Sequence, residues 1–105
     1  MKRRELQKAL RKKGFIEKEG GRHTKYILTE NGKKKRVMTI ISRGKDKEEL
    51  GPALVRRIMK QLHFDDSRKF DDFVRCPMSY EDYLTMLREK KVIEGHDVRD
   101  EDRKA

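Results

Sequence analysis

His23, in the stretch Gly20-Gly21-Arg22-His23-Thr24-Lys25-Tyr26-Ile27-Leu28, sets an imidazole two residues before a lysine in the most basic part of the chain. A neutral imidazole can take the proton from a ribose 2′-hydroxyl, which then attacks its own 3′ phosphate and leaves a cyclic phosphate and a 5′-hydroxyl. The ordinary imidazole pKa of about 6.5 leaves much of it neutral near pH 7, and general-base catalysis is typically worth about two to four powers of ten. DNA lacks the attacking hydroxyl. Lys25, with Lys35 or Arg36 from an adjacent strand, would stabilise charge on the phosphorane. No partner acid is identifiable, which implies slow cleavage, or a leaving oxygen protonated by water or a lysine. Metal-assisted cleavage needs converging carboxylates, and residues 1–63 offer only 7 Asp plus Glu, mostly in helix termini and turns. No metal or other cofactor is expected.

The charge around this histidine is large and unevenly placed. Residues 1–63 hold 20 Lys plus Arg against 7 acids, net +13, whereas residues 64–105 hold 9 against 12, net −3, giving +10 for the 105-residue chain. Such an excess is the electrostatic footprint of a protein that meets polyphosphate, because each neutralised phosphate releases condensed counterions. Arg22, Lys33, Lys34, Lys35, Arg36, Arg43 and Lys45 join Lys25 as candidate RNA contacts; the bland reading of Lys33 to Arg36 is a solvated hairpin tip. An anionic membrane is the competing partner. Against it, no apolar run approaches the roughly twenty residues of a spanning helix, and the N-terminus lacks the apolar stretch of a signal peptide, so a soluble cytoplasmic protein is expected. Cys76 stands alone, without zinc-ligand spacing around it, and reads as structural.

With 33% hydrophobic and 46% charged residues, the chain can bury one small core. Residues 3–13 read as a helix with Leu6, Ala9 and Leu10 on one stripe, stopped by Gly14 in the left-handed region with Phe15 folding back on Leu10. Arg11, Lys12 and Lys13 would complement that helix's dipole. Strands are predicted over 15–19, 22–28 and 35–41, joined by Gly20-Gly21 and by an Asn31-Gly32 hairpin turn. Gly51-Pro52 opens a second helix carrying Leu54, Val55, Ile58, Met59 and Leu62. The expected fold is α+β: helix, three-stranded antiparallel sheet, helix. Both helices would lie on one sheet face, burying Leu6, Leu10, Tyr26, Leu28, Leu54, Ile58 and Leu62 and leaving the other face open.

Period-two alternation places Thr24, Tyr26 and Leu28 toward the helices and His23, Lys25 and Ile27 away from them. The opposite register would make His23 a core histidine at the cost of burying Lys25. His63, near a helix end, reads as a cap, and His96 receives no role. Arg56, Arg57 and Lys60 fit either a wet helix face or phosphate contacts. Tyr26, Tyr80 and Tyr83 fit buried stripes better than base-stacking platforms.

The C-terminal part forms an extension over 65–93 with a tail, 94–105, expected to be disordered. Ser79-Tyr80-Glu81-Asp82 resembles a capping box opening a helix with Tyr83, Leu84 and Leu87, after a shorter helix over 67–74 with Phe70 and Phe73. These stripes could pack on the basic domain, mediate a dimer or receive another protein. Their negative balance suggests that they screen part of the basic surface.

The ordered set Leu6-x-x-x-Leu10-x-x-x-Gly14-Phe15, Gly21-Arg22-His23, a Gly-containing hairpin, a Lys/Arg-rich third strand and Glu49-Leu50-Gly51-Pro52-x-Leu54-x-x-x-Ile58-x-x-Gln61 resembles the HicA toxin family over about residues 2–64. The resemblance implies a fold similar to a double-stranded-RNA-binding domain, cleavage of messenger RNA through the histidine that falls on His23, and neutralisation by a HicB antitoxin. Arg22 stands where the family commonly has Ser, Thr24 where many members have a second His, and Ser42-Arg43-Gly44 where Pro-x-His is common. A toxin-type endoribonuclease is the leading reading. A non-catalytic RNA-binding module of the same fold, and an adaptor built on the C-terminal helices, are the alternatives.

Overall fold

A computed structural model describes residues 1–42, 44, 48–75 and 77–94. The order is α1 (Arg3–Lys12), β1 (Phe15–Gly20), β2 (His23–Glu30), β3 (Lys33–Ser42), α2 (Pro52–Gln61), α3 (Ser67–Arg75) and α4 (Tyr80–Glu89). The sheet is an antiparallel meander, β1-β2-β3, so the α+β architecture expected from the sequence is the one observed. β2 begins at His23, one residue later than expected, while β1, β3 and the end of β2 run further than expected, because backbone pairing continues through Gly20↔His23 and Glu30↔Lys33.

Each element forms for local reasons. Pro52 occupies the first turn of α2, where its missing N–H costs nothing, and Gly51 precedes it in extended conformation. Ser79 accepts from the backbone N–H of Asp82 at 3.0 Å while Asp82 accepts from that of Ser79 at 3.2 Å, a reciprocal box that starts α4. Asn31 and Gly32 both have positive φ, 53° and 78°, which matches a two-residue turn to the twist of β2 and β3. Gly14 adopts φ 85° as expected. Phe15 shares the buried cluster with Leu10 and enters β1 with its ring 6.0 Å from that of Tyr83 and 6.3 Å, edge-on, from that of Phe73.

That contact decides where the extension goes: α3 and α4 pack on the basic domain. Phe64, Phe70, Phe73 and Tyr83 join Leu6, Leu10, Leu28, Ile58 and Leu62 in one buried cluster. Buried carbonyls are tied across the same boundary, Tyr83 donating its hydroxyl to Leu62 O at 2.8 Å and Tyr80 to Thr29 O at 2.6 Å. Lys13 is buried rather than turned to solvent. Its ammonium donates to Phe73 O at 2.7 Å and to Met78 O, so it caps the end of α3 instead of complementing its own helix. Leu54, expected in the core, is only half-buried in the first turn of α2, and Ile58 and Leu62 carry that helix's contact. Glu94, assigned to the disordered tail, is placed: it accepts from Lys35 at 2.9 Å, and its carbonyl accepts from Arg88 at 3.1 Å. Arg43, Lys45, Cys76, His96 and the rest of the tail lie outside the described residues. No described helix is long and apolar enough to cross a membrane.

Candidate nucleic-acid interface

Gly20 pairs with His23 across a turn in which Gly21 has φ 60°, a glycine at the first position of a two-residue hairpin loop. That turn fixes the register of β1 against β2. His23 lies between Gly20 and Ser42, Lys25 between Lys18 and Ile40, and Ile27 between Ile16 and Met38. Cross-strand partners share a face, so the imidazole and both ammonium groups stand on the sheet surface away from the helices. Burial agrees: Thr24 and Tyr26 are 6% and 1% exposed, whereas His23 and Lys25 are open to solvent. Burial raises the Tyr26 phenol above its usual range, reinforced by the neighbouring Glu17 carboxylate, as befits a core residue rather than a base-stacking platform.

Lys18, Glu19, Gly20, His23, Lys25 and Ile40 line a cleft of about 460 Å³. Its floor is apolar at Ile40, and one carboxylate, Glu19, sits among its described lining residues. Lys18 was not singled out from the sequence, although counting back from the Gly20-Gly21 turn sets it opposite Lys25. Among the described residues, no group of three or more His, Cys, Asp or Glu is placed to hold a metal ion.

The basic run is elsewhere. Glu30, the partner of Lys33, lies seven steps along β2 from His23, which at about 3.3 Å per step is about 23 Å. Lys35 does not stand beside Lys25; it turns to the helix side, 2.9 Å from the Glu94 carboxylate and 3.8 Å from that of Glu30. Glu94 first, and Glu30 with it, hold the Lys35 ammonium above its usual range. Among the described residues, the extension's carboxylate that meets the basic run is Glu94, at Lys35. Lys33, Lys34 and Arg36 are exposed, as are Arg22 in the first hairpin turn and Arg56, Arg57 and Lys60 on α2.

The edge of the site is held by a buried arginine. Arg3 donates to Ser42 O, next to His23 in the sheet, and pairs with Glu48. Gln61, the last residue of the ordered motif set, accepts from the buried Thr39 hydroxyl at 2.6 Å and so fastens α2 to β3.

The model of the family described as "HicA toxin of bacterial toxin-antitoxin" matches residues 3–64, more than half of the chain. The chain belongs to the HicA toxin family. No curated protein and no solved structure matches it. As a HicA toxin it comes with an RNA-directed activity and a cognate antitoxin. The matched span ends at Phe64, whereas the core continues through α3 and α4. The position where many HicA toxins carry a second histidine is Thr24, which here points to the helix side; its replacement removes nothing from the face that carries His23.

Proposed function

We propose that this HicA toxin is an endoribonuclease that cleaves messenger RNA without a metal, with His23 as general base toward the 2′-hydroxyl. The observation that carries the reading is the shared cleft: an exposed imidazole on a rigid strand with Lys25 on the same strand and Lys18 directly across from it. His23 takes the proton, the 2′-oxygen attacks phosphorus as the bond to the 5′-oxygen breaks, that oxygen leaves with a proton from water or a lysine, and Lys18 and Lys25 balance the charge that grows on the phosphorane. Fixed cations at a partly apolar surface suit that task, since they need no reorganisation as charge develops. Arg22, at the adjacent turn, and Arg43 and Lys45, in the segment after β3, extend the phosphate contacts, and a HicB-like protein is the antitoxin.

The test is cleavage of a labelled single-stranded RNA in excess chelator by wild type and by His23→Ala. Cyclic-phosphate ends are expected from the wild type, with a loss of about a hundredfold or more in His23→Ala. His23 is solvent-exposed, so the variant should keep the wild-type Tm. A wild type that binds RNA without cutting it would instead identify a non-catalytic RNA-binding module.

A further inference from the structure

The C-terminal extension builds a second cationic cleft with the β2–β3 hairpin. It measures about 690 Å³ and is lined by Lys34, Lys35 and Arg36 from β3 and by Arg88, Lys91 and Glu94 from the end of α4 and beyond. Two of these five cations are occupied internally: Arg88 pairs with Glu30, and Lys35 with Glu94 and Glu30. Lys34, Arg36 and Lys91 are exposed and have no carboxylate partner among the described residues. The internal pairs hold the wall in place, and the other three cations face solvent.

This cleft is joined to the first. Lys18 lines the His23 cleft, Lys34 lines this one, and the Lys18 ammonium is near enough to hold Lys34 below the usual lysine range. Two ammonium groups crowded together on an open sheet gain by sharing an anion between them. Cations thus line two neighbouring clefts, Lys25 and Lys18 beside His23 in one and Lys34, Arg36 and Lys91 in the other. A chain of regularly spaced negative charges fits such a pair better than a single small anion does.

We propose that the hairpin–extension cleft is a docking site for the phosphate backbone of single-stranded RNA, holding the strand at a distance from the phosphate that reacts at His23. The proposal rests on the nuclease reading and adds to it a site half of whose cleft comes from residues beyond 64. The roughly 23 Å from His23 to the hairpin end corresponds to about seven nucleotides of a stacked strand at ~3.4 Å each. A substrate much shorter than that reaches only the first cleft.

The experiment measures RNA affinity against salt concentration in a His23→Ala background, with and without Lys34→Ala, Arg36→Ala and Lys91→Asn together. Asn at 91 suits the φ of 61° there. The probes are RNAs of about 4 and about 20 nucleotides, the range that single-strand grooves occupy. For the longer RNA the triple change should weaken binding about tenfold and flatten the log–log salt slope by about 2, three phosphate contacts at ~0.7 each. Binding of the shorter RNA in the same background should change less than about twofold. Unchanged affinity and slope on the longer RNA would overturn the proposal, as would equal losses on both RNAs. Competition by a polyglutamate peptide as strong as by RNA would overturn it in favour of an acidic protein. Loss of long-RNA binding in the triple variant, alongside a wild type that cuts nothing, would uphold the docking site while removing the nuclease reading.

Discussion

At the scale of single residues, the site depends on which lysines face which way, and alternation alone does not settle that near an irregularity. The β2–β3 ladder shifts between Ile27 and Thr29, which separates the basic run from the register that governs His23. Lys18→Ala should therefore slow cleavage of a roughly 4-nucleotide RNA by at least about tenfold, whereas Lys35→Ala should change it less than about twofold, measured as initial rates. Lys13 is the other residue whose role changes with context. It is 4% exposed, holds two carbonyls and lies 5.0 Å from the centre of the Phe73 ring. Lys13→Ala should cost about 2–4 kcal/mol in urea unfolding, because the orphaned carbonyls remain buried.

At the scale of elements, α1, α2 and α4 each end on a left-handed residue, Gly14, His63 and Lys91. Gly14 is fixed twice over: its φ is 85°, and a methyl group there would collide with the Tyr80 ring. Gly14→Ala is expected to destabilise by about 2–4 kcal/mol, read from the denaturation midpoint, as left-handed strain and overpacking add. His63 takes φ 69° after α2, with its N–H on Lys60 O at 3.0 Å and the N–H of Phe64 on Met59 O at 2.9 Å. This is a Schellman ending with histidine where glycine is usual. Burial, then the Lys90 charge, lowers the imidazole below its usual range. The unfolded chain thus takes that proton first. The stability this residue contributes is full above about pH 6.5 and is lost as pH falls toward its folded value. Tm should fall between pH 7 and pH 5.5 in the wild type and fall less in His63→Asn. Asp65, held low by its hydrogen bond to Lys90 and then by that charge, acts further down, below its ordinary 3.8.

At the scale of the whole molecule, the family span and the folding unit differ. Residues 3–64 match the HicA toxin model, yet Phe15, Leu62 and Phe64 are covered by Phe70, Phe73 and Tyr83. Each well-placed aromatic pair is worth about 0.5–1.5 kcal/mol beyond the area it buries, and the cluster contains several. A fragment of residues 1–64 should accordingly lose its cooperative thermal transition, seen by circular dichroism. Folding of that fragment with an unchanged midpoint would make the extension an ornament. Truncation is also a poor way to probe screening of RNA, since it removes core and charge together.

The amino-acid sequence by itself determined the element order, the turn chemistry and the outward face of His23. Those depend on local rules: period-two alternation in β2, positive φ at Gly14 and Asn31-Gly32, and proline at the start of α2. The ordered spacing from Leu6 to Gln61 likewise carried the family. Only the tertiary structure decided that Lys35 turns to Glu94, that Lys13 caps α3, and that α4 walls a second cleft. Each of these is a contact between residues distant in sequence or across a register shift, where a lysine looks the same whether it meets a carboxylate, a carbonyl or solvent. What separates those outcomes is the packing of Phe15, Phe73 and Tyr83, which brings the acidic half of the chain against the basic one.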